Sequence, residues 1–521
     1  MKMNKYILGA FLLSATLSSC NLDTEPEQQI EVDEIQDVPG QVRGLYNLTQ
    51  AVAYYGRNYT LYGDMGTDSY VWVNGSRFIL EYEMNKNVSI SESDDDRTIF
   101  ARAYQVITNA NRIIENPEAN KDEKGQAYFM RALAHFDLFR LYGEIPLILT
   151  VADADRSNYP ANATEENIYN QVIDDLKVAK ANIVNKDVSY ATANAASALL
   201  SRVYLYKGDY QEVINEADSI LASGSYSLTA GEDLFEYFNK TGGKETIFEI
   251  VFTENQTAGS NNFGYIAMSS VAGGYGSYAV NPEFVNSFNR IDKDGFADAR
   301  GTVGLATKDA TDEAMFIVEG EWNKDKDSLF VSKPGFIYNN KFHAQDEVLG
   351  LHSPKVLRLA EVLFNKAEAI IALRGEGDQD VIDIIESIRT ARYIRPVQGI
   401  NEDAIAYQTR LDAYNAALVN GGTLAELLEE KRKDFAFEGH RMYDLRRNSL
   451  PVTVKEVEHA KQAEGVDYVS VGKDGEFIQT TYEVKDLVTV PAGGHQFWRP
   501  IPENEQLANP NLHQNFAEYG N

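Results

Sequence analysis

Cys20 is the only thiol in a chain of 521 residues, so any sulfur chemistry belongs to that position. Lys2 and Lys5 precede an apolar run from Tyr6 to Leu17, and Leu17-Ser18-Ser19 sets small residues against the cysteine. This arrangement resembles the lipobox at which a lipoprotein-processing peptidase cuts. The run is about a dozen residues, short of the roughly 20 that span a bilayer, so residues 1–19 read as a cleaved signal. The expected chemistry is thioether lipidation of Cys20, each buried CH₂ of the acyl chains adding about 0.8 kcal/mol of membrane affinity.

A second chemistry is written in aromatics set among amides and charges. Tyr54, Tyr55, Tyr59, Tyr62, Tyr70 and Trp72 crowd one stretch, interleaved with Asp64, Asp68, Asn74 and Arg77. Tyr265, Tyr275, Tyr278 and Trp322 beside Asn323 form another group. Sugar rings offer apolar C–H faces and hydroxyl edges, so a saccharide platform needs flat rings bordered by carboxylate, amide and guanidinium groups. Tyr55 and Tyr62 read as helix-face core. Tyr70, Trp72, Trp322 and the glycine-flanked Tyr275 and Tyr278 are harder to explain that way. Asp64, Asp68, Tyr70, Trp72, Asn74, Arg77, Tyr275, Tyr278, Trp322 and Asn323 are therefore the candidate ligand-binding residues.

Catalytic patterns are mostly missing. There is no His-Glu-x-x-His zinc spacing, no Gly-x-Ser-x-Gly elbow and no Gly-Lys-Ser/Thr phosphate loop. Gly274-Tyr275-Gly276-Ser277-Tyr278-Ala279 matches a loose dinucleotide pattern without a strand-to-helix unit around it. Asp292, Asp294 and Asp298 lack full calcium-loop spacing, and an Asp298–Arg300 structural contact is the favoured reading. No cofactor and no metal is expected. Paired carboxylates for glycoside hydrolysis stay open, because 78 acidic residues guarantee chance pairs.

These groups must be held by elements that the periodicity places. The net charge of −30 and the absence of a basic run exclude nucleic acid as a partner. Residues 20–37, acidic and nearly free of aromatics, read as a flexible tether. Helical patterns cover 38–55, 104–114, 125–142, 165–183, 195–206, 210–221, 356–373, 380–392, 404–419 and 424–437. Between them the pattern decays into Gly-, Asn- and Tyr-rich sequence with short β-type runs such as 246–252. Tyr204 to Tyr210 joins two helices through Gly208-Asp209, in the manner of a tetratricopeptide turn. The expected domains are an N-terminal helical region 38–225, an irregular insertion 226–345 carrying the ligand site, and a C-terminal helical region 346–521.

Three further segments complete a set with the lipobox. They are Arg131 to Leu147 (RALAHFDLFRLYGEIPL), Glu430 to Arg447 (EKRKDFAFEGHRMYDLRR), and the tail with Pro500-Ile501-Pro502-Glu503-Asn504-Glu505 and Asn509-Pro510-Asn511-Leu512. In order and spacing the four resemble the RagB/SusD family of outer-membrane nutrient-binding lipoproteins. The resemblance implies a mainly α fold. Four tetratricopeptide-like helix pairs would form a superhelical scaffold bearing an irregular ligand-binding subdomain with short strands. It also implies a SusC-like TonB-dependent outer-membrane barrel as partner, and ligand contacts from the loop after the first helix and from the insertion. The expected function is capture of a nutrient oligomer, a neutral glycan, at the cell surface, without catalysis. A peptide-capturing lid and a surface glycoside hydrolase are the alternatives. The alternating charges and aromatics of 430–447 read as partly buried ion pairs fixing a helix end, and the Pro-Ile-Pro tail as a strap across the helices.

Overall fold

The computed structural model describes residues 37–519 apart from 73–93, 155–157, 159, 257–261, 308–309, 312, 320, 324–327, 331–335, 420, 458–468, 472–476 and 481–483. The signal, the tether with Cys20, and candidates Asn74 and Arg77 lie outside the described residues.

Helices α1 (Val38–Thr49), α2 (Asn58–Asp64), α3 (Asp94–Glu115), α4 (Lys121–Tyr142), α5 (Glu165–Asn182), α6 (Ala193–Lys207) and α7 (Tyr210–Ala222) build the first half. After the short α8 (Phe263–Ala267), the second half holds α9 (Leu359–Arg374), α10 (Gln379–Arg392), α11 (Ala404–Val419), α12 (Leu424–Asp434), α13 (Arg441–Arg447) and α14 (Glu503–Ala508). From α3 to α7 each helix packs on the next in the chain. Then α7 packs on α9 and α9 on both α10 and α12, so the array runs past the insertion unbroken. This is the stacking expected of helix pairs that cannot bury an apolar face alone.

Local sequence explains where the helices start and stop. Asn120 and Glu123 form a reciprocal capping box at α4, as Thr423 and Glu426 do at α12. At the expected tetratricopeptide turn, Gly208 takes φ +85 and closes α6, its N–H and that of Asp209 both donating to Tyr204 O. The helix expected over 104–114 starts ten residues early, at Asp94, and two other expected spans break. The pattern over 38–55 breaks at Thr49 and resumes as a π-helix, Val52–Gly56. The helix expected to reach Phe437 stops at Asp434, because Phe437 at φ +65 and Gly439 at φ +80 turn the chain into α13.

The insertion contributes most of an eight-stranded sheet. Its strands are β1 (Tyr70–Trp72), β2 (Ala279–Val280), β3 (Val303–Thr307), β4 (Ala310–Thr311), β5 (Phe316–Glu319), β8 (Ile337–Asn339), β11 (Val452–Val457) and β12 (Val484–Val490). Their order is β12-β11-β1-β2-β8-β5-β3-β4. Hairpins β6–β7 (Glu321–Asn323, Ser328–Phe330) and β9–β10 (Ala344–Gln345, Val348–Leu349) stand apart from it. One face of the sheet packs on a core that includes Tyr70, Phe263, Tyr278, Phe284, Phe316, Phe342 and Phe437. Strands from before, within and after the insertion therefore share one sheet.

The C-terminal strap lies where the Pro-Ile-Pro sequence places it. Arg499 N–H donates to Leu141 O at 2.7 Å, and Asn515 Nδ2 donates to the carbonyls of Tyr142 and Glu144, closing over the end of α4. Gln514 bonds both backbone groups of Ile501, which is fully buried.

Candidate functional site

The charged motif 430–447 is architecture. Asp434 pairs with Arg358 at 2.6 Å and Arg392 at 2.7 Å, and both arginines also pair with Glu245. Glu430 takes Arg300 at 2.6 Å and Arg389 at 2.8 Å, while Arg300 grips Asp298 through Nε and Nη2 as the sequence favoured. Burial opposes charge on Glu430, yet Arg300 and Arg389 prevail and hold it down at about 2. Glu438 is held by Lys341 and Arg358, and burial, with Arg202 and Lys431 next, keeps His440 neutral. Both line one cavity of only about 30 Å³, room for little more than a water molecule.

In the 131–147 motif, Arg131 meets both oxygens of Asp175, at 2.6 and 2.7 Å. Asp137 accepts hydroxyls from Tyr54 at 2.6 Å, Tyr55 at 2.7 Å and Tyr59. The tyrosines that opened the aromatic cluster thus lock the π-helix onto α4. Their crowding records a buried hydrogen-bond site and supplies no ligand platform.

Three candidates, Asp64, Tyr70 and Tyr278, lie in the interior, while Asp68 is partly exposed. Asp64 is 1% exposed and accepts the N–H groups of Gly439 at 2.6 Å and Arg441 at 3.1 Å. It pins the end of α2 against the turn before α13, where Gly63 and Gly439 lie backbone on backbone and a Cβ on Gly63 would meet Gly439 O at 2.2 Å. Burial pushes its carboxyl up to about 7 against those two hydrogen bonds. Asp64→Asn substitutes a donor for one of two acceptors facing N–H groups, so it should cost about 1–3 kcal/mol in urea unfolding. An unchanged midpoint would refute the role. Asp68 binds Arg441 through two contacts of 2.8 and 3.0 Å and Arg432 at 3.4 Å. Burial works against its charge, but Arg432 and Arg441 hold it below the ordinary value. Tyr70 and Tyr278 are both 0% exposed, with ring centroids 6.1 Å apart in the sheet core. The expectation that these two tyrosines meet a ligand is corrected: alternation along β1 and the approach to β2 turn them inward.

Tyr275 is different, at 49% exposure. It sits in a tight loop folded back on α8, with Tyr275 N–H donating to Tyr265 O and Gly276 N–H to Met268 O. A Cβ at Gly274 would come within 2.5 Å of Met268 O, so only glycine lets the loop lie this close. The Tyr275 ring stands edge-on to Tyr265, centroids 5.4 Å apart. In the same loop Val271 is 39% exposed, and Leu349, 42% exposed, lies against Gly273. Leu349 ends hairpin β9–β10, whose turn residues Asp346 and Glu347 both hold positive φ, a conformation that disfavours ordinary side chains. Sequence reasoning missed this hairpin; two acidic residues between short β-type pairs give no turn signal of the Asn-Gly kind.

Strand register shows which candidates meet. β1 and β2 are antiparallel with Val71 opposite Ala279, which sets position 72 across from 278, three residues from Tyr275. Asn281 reinforces the junction, its N–H donating to Ser69 O and Nδ2 to Asp68 O. The segment after the second helix and the insertion therefore meet at one end of the central strands β1 and β2. Trp322 and Asn323 are not paired into the sheet. β5 runs opposite to β8, so the chain leaves toward β6 from the other end of the strands, and β6 pairs with β7 alone. For Trp72, Trp322 and Asn323 only the backbone is described.

Comparison with known proteins decides the family, since residues 244–519, more than half of the chain, match the model described as the SusD family. The chain belongs to the SusD family. Residues 21–205 match a second model, described as starch-binding associating with outer membrane. Across 487 residues the protein is 26% identical to SusD-like protein P2 of Formosa agariphila, covering 86% of this chain and 91% of that one. Two solved structures share the fold. A SusD superfamily protein of Bacteroides thetaiotaomicron aligns at TM-score 0.68 and 22% identity, covering 92% of this chain and 99% of that one. A SusD-like carbohydrate binding protein of Bacteroides vulgatus aligns at TM-score 0.65 and 19% identity, covering 93% and 99%. The SusD fold thus accounts for the helix array and the sheet built from distant segments.

Proposed function

We propose that this SusD family member is a surface lipoprotein of the outer membrane, anchored through Cys20, that binds a neutral oligosaccharide and passes it to a SusC-like TonB-dependent barrel without chemistry. The observation that carries the reading is the exposed Tyr275 ring on its Tyr265 support, near the end of strands β1 and β2 where β1 carries Trp72. The matched outer-membrane starch-binding model and the carbohydrate-binding relative support the ligand class. Asn74 and Arg77, two and five residues after Trp72, would supply hydrogen bonds to ring hydroxyls. Trp322 and Asn323, on the β6–β7 hairpin, are the remaining candidates of this reading. Three of the candidates placed inside, Asp64, Tyr70 and Tyr278, hold the platform's frame.

Among the described residues no helix is long and apolar enough to cross a membrane. Cys20→Ala should move the full chain from the membrane to the soluble fraction with its thermal unfolding unchanged; retention in the detergent phase would refute the anchor. Calorimetry against maltoheptaose, cellohexaose, laminarihexaose and xylohexaose tests the ligand class. Binding of at least one, with no new reducing ends after prolonged incubation, is the expected result. Binding of neutral peptides alone would replace the glycan reading, and hydrolysis abolished by one carboxylate substitution would replace the binding reading.

A further inference from the structure

A groove of about 410 Å³ opens between α3, residues 146–154 with Pro160, and the C-terminal strap, on residues other than those of the Tyr275 surface. Its volume falls within the roughly 300–1,000 Å³ range of small-ligand sites. The floor is aromatic: Phe100 and Tyr104 lie with ring centroids 4.8 Å apart, and the Tyr104 hydroxyl donates to Pro146 O at 2.8 Å, which fixes the ring in place. Helical spacing then brings Gln105, Asn109 and Arg112 along the same wall. The opposite wall carries Glu505 on α14.

The polar groups in this groove are only partly used. Gln105 accepts from Arg102 through Oε1, which leaves its Nε2 as a donor. Arg112 spends one Nη1 contact, 3.2 Å, on Asn109 Oδ1. The Glu505 carboxylate has no hydrogen-bond or ion-pair partner among the described residues, and no ion pair joins it to Arg112 across the groove. Donors on one wall thus face an acceptor on the other, over a floor of flat rings. Adjacent sugar hydroxyls donate and accept at once and bridge such walls, whereas a polyanion would meet Glu505 and Asp153. A purely apolar ligand would bury the Arg112 and Glu505 charges without compensation.

We propose that this groove is a second glycan site, sized for one or two sugar residues, with Tyr104 as the stacking ring and Gln105, Arg112 and Glu505 as the hydroxyl partners. The proposal rests on the glycan reading of the protein, but not on the Tyr275 surface. Hydrogen-exchange mass spectrometry of the full chain, with the four oligosaccharides above and with maltose, cellobiose and laminaribiose, separates the two. The expected result is slowed exchange over 100–112 and 503–512 with at least one probe. That protection should be lost in Glu505→Gln and in Tyr104→Ala, and kept in Tyr275→Ala. Because Tyr104→Ala also removes a structural hydrogen bond, Glu505→Gln, on the groove wall and without a structural partner, carries the decision if Tyr104→Ala unfolds. Protection around 265–275 without any over 100–112 overturns the second site and leaves the first standing. Protection over 100–112 alone supports this groove and overturns the Tyr275 surface. No protection anywhere, with any probe, overturns both.

Discussion

Asp434→Ala is expected to destabilise the protein by about 3–5 kcal/mol, read as a lower urea midpoint at unchanged slope. The carboxylate sits among Arg358, Arg392 and Arg300, and every side chain in this cluster is at most 3% exposed. Removing the shared anion leaves guanidinium groups facing one another with Glu245, Glu430, Glu438 and Asp298 as their remaining counter-charges. The cost arises from stranded cations and not from the net value of the pairs, which buried ion pairs rarely add. A loss below about 1 kcal/mol would mean that water solvates the cluster. The pH dependence has the same origin. Glu430 is held at about 2, and Asp434 and Glu245 are also held below their ordinary values, by the arginines acting against burial. Their contribution is therefore complete above about pH 4–5, where the unfolded carboxylates ionise, and is lost as pH falls toward 2. Asp434→Ala should flatten that acid limb as well as lower the plateau.

The second large effect divides two tyrosines three residues apart. Tyr278→Ala empties a fully buried position beside Tyr70 and should cost about 3–5 kcal/mol of stability, with oligosaccharide affinity unchanged per folded molecule. Tyr275→Ala removes a half-exposed ring that leaves no core cavity. Its melting temperature should hold, while affinity falls by about 1–3 kcal/mol, the scale of other ring-on-ring stacking. Differential scanning calorimetry and titration calorimetry on both variants decide the matter. Equal melting shifts would show that Tyr275 packs like Tyr278, and an unchanged affinity in Tyr275→Ala would remove it from the ligand surface.

By itself the sequence determined the helices and their turns. Apolar residues at steps of three and four, as in Ile168, Val172, Leu176 and Ala179, can be buried on one side of a helix only, and α5 buries all four. The Gly208-Asp209 turn and the Pro-Ile-Pro strap were equally legible, because φ preferences are local properties of the chain. The Asp298–Arg300 contact was legible for the same reason, its partners being two residues apart. Tertiary structure alone decided which aromatics are exposed. Tyr70, Tyr275 and Tyr278 have the same chemistry and similar polar, glycine-rich neighbours, yet two are core and one is surface. That outcome depends on the pairing of β1 with β2, two strands about 200 residues apart in the chain. Asp64 was misread for a related reason, and Asp68, which stays partly exposed, pairs with Arg441 and Arg432. A carboxylate among tyrosines looks the same whether it awaits a sugar hydroxyl or the N–H groups and guanidinium of residues 439–441. The distant chain that returns to satisfy it is fixed by packing, and periodicity does not encode it.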